Sequence, residues 1–150
     1  MRTCREVMTI DPVCCLPTDT VEEAALIMKD EIVGSVPVVE SHETKRLVGI
    51  VTDRDLAVDV LAEGRSSTTP VESVMTGTLV TCHVDEDVER AIELMGEHQV
   101  RRIPIVDDDD HIVGIIAQAD VATRTDDHDE TAEVLEEISQ GPLRDTEGSQ

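Results

Sequence analysis

Much of this chain is written twice. Displaced by 67 positions, Val7, Met8 and Thr9 fall on Val74, Met75 and Thr76, Val13 on Val80, and Val21 and Glu22 on Val88 and Glu89. Ala24 meets Ala91, Met28 meets Met95, Pro37 meets Pro104, and Val39 meets Val106. The displacement then drops to 65, so that Val48, Gly49 and Ile50 match Val113, Gly114 and Ile115, and Asp55 matches Asp120. So many matches in one register, with a single two-residue gap, are a duplication. A duplicated chain of 150 residues has little freedom: it must build one small unit twice.

Each copy carries the same series of elements. The apolar stretches 13–16 and 79–82 read as brief strands. Thr20-Val-Glu-Glu23 has the form of a capping box, and Asp87 is the matching N-cap in the second copy. Val21, Ala24, Ala25 and Met28, spaced by three, four and seven, predict one buried helical stripe. Two strands follow, 36–39 and 47–52 around a polar turn at 41–46, then 103–106 and 112–117 around the turn 107–110. A last helix starts near Asp53 and near Gln118. The fold class is therefore mixed α/β (α+β), two β-α-β-β-α units related by a pseudo-twofold. The division is 1–62 for repeat 1, 63–70 for a Gly/Ser/Thr-rich linker, 71–125 for repeat 2, and 126–150 for an acidic tail. The tail carries a short amphipathic helix at 130–140, stopped by Gly141-Pro142, with disorder expected beyond it.

Composition narrows the function. The chain has no Phe, Trp or Tyr, so Val, Ile, Leu, Ala and Met must fill the core. Thirty-four acidic residues against 12 basic ones give a net charge of −22, which repels phosphate backbones. Without aromatic stacking platforms, nucleic acid is excluded as a partner. Acid excess with only two lysines, Lys29 and Lys45, resembles proteins of salt-loving archaea and implies a halophilic cytoplasm. No apolar run approaches the roughly 20 residues that span a bilayer, and residues 1–9 lack the core of a signal peptide, so a membrane role is not expected.

The four cysteines form no C-x-x-C, and the five histidines are scattered, so no metal site is expected. The acidic turn 107–110 lacks the glycine and terminal glutamate of an EF-hand loop and reads as a solvated turn. Cys15 and Cys82 differ by 67 and occupy equivalent strand positions. A redox pair between them is one reading; small buried thiols packing a strand is the preferred one.

Thr52, Asp53, Arg54 and Asp55 follow Gly49 where a strand gives way to a helix, so helix N-terminal amides point outward there. A Thr hydroxyl donates to phosphate oxygen, Arg54 offers a guanidinium fork, and Asp55 accepts from two ribose hydroxyls. The alternative is that Thr52 and Asp55 only cap the helix. Arg101 and Arg102, the only adjacent arginines, are candidates to neutralise a phosphate, or else surface ion pairs worth at most about 1 kcal/mol.

Val7-Met-Thr9, the Val36-Pro-Val38 and Ile103-Pro-Ile105 strands and the run Gly49-Ile-Val-Thr-Asp-Arg-Asp55 resemble the CBS (cystathionine β-synthase) domain family over residues 7 to about 124. Two such repeats form a Bateman module. The resemblance implies that Ser/Thr-x-x-Asp contacts phosphate and ribose, while adenine enters an apolar slot. The matching slot residues are Val13, Ser35, Val36 and Pro37 in one copy, and Val80, Arg102, Ile103 and Pro104 in the other. It further implies that the Asp of one repeat works with the slot of its partner, setting Thr52 and Asp55 beside Thr76, Val80 and 102–104. The second motif departs from the pattern: Ala117 replaces the hydroxyl residue and no arginine matches Arg54. A stronger site at Asp55 and a weak or nucleoside-preferring one at Asp120 follow.

No catalytic motif presents itself, and a non-enzymatic regulatory module is expected. Its ligand is an adenine nucleotide or nucleoside (AMP, ADP, ATP or S-adenosylmethionine), with no further cofactor, and an effector protein reads the bound state. The resemblance also implies a homodimer. The other readings are a structural dimerisation module with a degenerate pocket, and a regulatory relative of IMP dehydrogenase without the catalytic barrel.

Overall fold

The computed structural model describes residues 2–77 and 79–124; the tail helix expected at 130–140 lies outside them. The chain runs through α1 (Cys4–Val7), β1 (Thr9–Ile10), α2 (Val21–Glu31), β2 (Ser35–Val39), β3 (Leu47–Thr52) and α3 (Asp53–Asp55). After a 3-10 turn at Val71–Ser73 come β4 (Cys82–His83), α4 (Val88–His98), β5 (Arg102–Val106), β6 (Ile112–Ala117) and α5 (Gln118–Arg124). Among the described residues no helix is long and apolar enough to cross a membrane.

Local chemistry explains the boundaries. Thr20 closes a reciprocal box with Glu23, its hydroxyl accepting from the Glu23 amide at 3.1 Å and its own amide donating to the Glu23 carboxylate at 2.8 Å. Asp87 caps α4 through the Glu89 amide at 3.5 Å. Both helices end on a left-handed residue, Ile32 (φ 56°) and Gln99 (φ 53°). Strands β3 and β6 alternate buried and half-buried residues throughout, the period of a one-sided sheet.

Two compact units emerge, and they are not the two contiguous halves. One combines residues 2–10 with 80–107 and 113–124; the other combines Asp11–Leu79 with Asp108–Ile112. The lead segment of each repeat thus completes the unit built mostly from the other. In the first unit, the sheet order is β1-β6-β5-β4, with Thr9 opposite Ile115. In the second, β2 and β3 form an antiparallel hairpin, Cys15 bridges to Val38 in parallel, and Thr76 pairs with Ile50. The cores match position by position. Val7, Cys82, Val88, Ala91, Ile103 and Ile116 fill one, and their counterparts Val74, Cys15, Val21, Ala24, Val36 and Val51 fill the other.

Two expectations are corrected. The first strand of each copy shrinks to the single bridge at Cys15 and to Cys82–His83, because only those residues reach a neighbouring strand. Ala25 is exposed: the buried arc of α2 runs through Val21, Ala24 and Ile27, and Ala25 is turned about 100° from Ala24. Cys15 and Cys82 each pack in the core of their own unit, the preferred reading of these thiols, and the neighbour of Cys82 is Cys4, with sulfurs 3.8 Å apart.

Candidate functional site

β3 delivers Thr52 to the start of α3, where the Asp53 amide donates to the Gly34 carbonyl at 2.9 Å. The Thr52 hydroxyl accepts from the Asp55 amide at 3.1 Å, and Asp55 Oδ2 accepts from the Thr52 amide at 2.9 Å. The capping role is therefore real. It uses one carboxylate oxygen of Asp55 and leaves Oδ1 outside the cap.

Past Asp55 the helix widens into a π-helical stretch, Leu56–Leu61. The Ala62 amide donates to the Ala57 carbonyl and the Arg65 amide to the Val60 carbonyl, each five residues back at 2.9 Å. Asp55, Asp59 and Glu63 from this segment, with Arg65, line one side of a cavity of about 670 Å³; Ser73, Val74, Met75 and Thr76 line the rest. Met75 and Thr76 are held there by paired bonds, Ile50 amide to Thr76 carbonyl at 3.1 Å and the reverse at 2.9 Å. So close an approach requires glycine at 49, where a Cβ would lie 2.5 Å from Met75 Sδ.

The residues expected from sequence are distributed as follows. Asp55 and Thr76 line the cavity, and Thr52 is tied to Asp55. Arg54 is exposed and is not among the lining residues; the cation of the cavity is Arg65. Ser35, Val36 and Pro37 on β2 are buried, and Ser35 Oγ has no hydrogen-bond partner among the described residues. Val13 is exposed. In the other unit Val80, Arg101 and Arg102 are half-buried, while Ile103 and Pro104 are buried. Arg101 Nε and Gln118 Oε1 there are buried without a hydrogen-bond partner among the described residues.

The equivalent junction in that unit differs in chemistry. Asp120 Oδ2 accepts from the Ala117 amide at 3.4 Å and from the Thr9 hydroxyl at 3.3 Å. Ala117 has no oxygen to return, so the box is half formed. Thr9 is the counterpart of Thr76, and here its hydroxyl is bonded to the aspartate.

Asp59, Glu63, Arg65 and Ser73 were not anticipated. The spacing of Asp55, Asp59 and Glu63 at four-residue steps was a legible signal, since it puts three carboxylates on one helix face.

The CBS domain model matches residues 4–61 and 71–126, and the chain belongs to the CBS domain family. The CBS domain-containing protein YhcV of Bacillus subtilis is 39% identical over 139 residues, covering 93% of this chain and 96% of YhcV. Among solved structures, the CBS domain pair of protein MJ0100 in complex with 5′-methylthioadenosine and S-adenosyl-L-methionine is similar at TM-score 0.73 and 28% identity. That likeness covers 82% of this chain and 94% of that one. Hypoxic Response Protein I with two coordinated zinc ions is similar at TM-score 0.75 and 28% identity, over 83% of this chain and 99% of that one.

Proposed function

We propose that this chain is a regulatory sensor, not an enzyme, that binds an adenine nucleoside or nucleotide beside Asp55 and presents the bound state to an effector protein. The observation that carries the reading is the cavity where Asp55, with one carboxylate oxygen outside its cap, faces Thr76. A carboxylate accepts from the two hydroxyls of a ribose, and a threonine hydroxyl serves as donor or acceptor beside it. The adenosyl ligands of the MJ0100 pair support the ligand class. Three carboxylates against Arg65 favour ligands with few or no phosphates, 5′-methylthioadenosine, S-adenosylmethionine or AMP before ATP.

Val13, Ser35, Val36 and Pro37, and Val80, Arg102, Ile103 and Pro104, are proposed to supply the adenine slots. The chain is further proposed to act as a homodimer in a salt-rich cytoplasm. Thermal denaturation at molar salt tests the central reading. A ligand specific to the native state raises the melting temperature by mass action, so adenosyl ligands are expected to raise it in the parent and not in Asp55→Ala. No rise with any adenine ligand contradicts the proposal.

A further inference from the structure

Two thiols 78 positions apart meet in the core of the unit that residues 2–10 complete. Cys4 opens α1 and Cys82 opens β4, their sulfurs are 3.8 Å apart, and both side chains are almost wholly buried. Packing alone does not demand this pair. The position equivalent to Cys4 is Val71, which lies with Cys15 in the matching core, so valine fills the same place there. We propose that Cys4 and Cys82 are an oxidisable pair that a hydroperoxide converts to a disulfide, fastening residues 2–10 to the unit they complete.

The chemistry balances with hydrogen peroxide as oxidant. The Cys82 thiolate attacks one peroxide oxygen, the O–O bond breaks, and water leaves after protonation, giving a sulfenic acid. The Cys4 sulfur then attacks that sulfur; the S–S bond forms, the S–O bond breaks, and a second water leaves. Two thiols lose two electrons and two protons, and one peroxide becomes two waters. The order of attack follows the hydrogen bond between them. Cys4 S–H donates to Cys82, which together with burial raises the Cys4 pKa, while accepting that bond lowers Cys82 against the effect of burial.

Access and reach are local matters. The segment is held by Cys4 amide to Glu86 carbonyl at 2.8 Å, Arg5 amide to Val84 carbonyl at 3.1 Å, and Val88 amide to Arg2 carbonyl at 2.8 Å. An exposed Arg5–Asp85 ion pair at 2.7 Å adds to these. Thr9 also pairs with Ile115 and Val7 is buried in the core, so peroxide reaches the thiols only when this segment opens locally. Closing the sulfurs from 3.8 Å to about 2.05 Å requires the four-residue α1 to move toward β4.

Full-length protein treated with hydrogen peroxide, quenched and digested without reductant is expected to lose about 2 Da. It should yield a Cys4–Cys82 linked peptide, lost on dithiothreitol treatment, and the oxidised form should melt several degrees higher. Cys4→Val carries the residue the other unit tolerates, so it keeps the fold; it should yield no linked peptide, with the Cys82 sulfenic acid trapped by dimedone. Recovery of both cysteines as alkylatable thiols after oxidation of the parent overturns the proposal. So does an equal 2-Da loss in Cys4→Val.

Discussion

Thr52 and Asp55 hold each other: the hydroxyl of one accepts the amide of the other, and the carboxylate returns the bond, at 3.1 and 2.9 Å. At the equivalent junction Ala117 leaves Asp120 with half of that exchange. Thr52→Ala is therefore expected to cost about 1 kcal/mol, and Ala117→Thr to gain roughly 0.5–1 kcal/mol by supplying the missing oxygen. Urea denaturation of both variants checks the pair. Equal effects of the same sign would contradict the comparison.

The duplicated glycines face duplicated methionines, with unequal clearance. A Cβ on Gly49 meets the flexible Met75 first, and the Thr76 carbonyl only at 3.1 Å. On Gly114 it meets Met8 and, at 2.9 Å, the Thr9 carbonyl, which is backbone and yields less easily. Gly114→Ala is expected to lose about 1–3 kcal/mol, and Gly49→Ala less. Denaturation midpoints give the order.

The interleaving of the repeats makes a prediction about fragments. Val71 and Val74 lie in the core of the unit formed mainly by repeat 1. A fragment spanning 11–79 keeps them, whereas one spanning 1–67, of similar length, does not. The first should retain more helical dichroism and a steeper urea transition. Indistinguishable fragments would mean that the lead segments are dispensable.

Burial, with Asp19 next in effect, pushes the Cys15 thiol from 9.0 up to about 12. The unfolded chain releases this proton first as pH rises, so the stabilisation is complete below pH 9. It is lost between 9 and about 12, at roughly 1.4 kcal/mol per pH unit. Burial raises Cys14 as well, so the slope is shared. Stability measured from pH 8 to 10 should fall less steeply in Cys15→Ala than in the parent.

Much of this was legible from residue order. The limits of β3 and β6, the caps at Thr20 and Asp87 and the start of α3 follow from local patterns that tertiary packing reinforces. What escaped depends on contacts distant in sequence. Nothing near Cys4 announces that it meets Cys82, and nothing in repeat 1 announces that Val71 completes its core. The π turn that precedes Glu63 and Arg65 was equally hidden, because its five-residue bonds leave no periodic mark in a short segment. Arg54 was favoured as the cation because it lies within the motif, yet Arg65 lines the cavity.

Ligand recognition by this chain depends on one carboxylate, that of Asp55, receiving a sugar. Calorimetric titration of 5′-methylthioadenosine and AMP into the parent, Asp55→Ala and Asp120→Ala measures this directly. The predicted result is saturable binding in the parent, at least tenfold weaker binding in Asp55→Ala (about 1.4 kcal/mol), and a smaller loss in Asp120→Ala. Equal losses in the two variants, or no heat of binding in the parent, would contradict it.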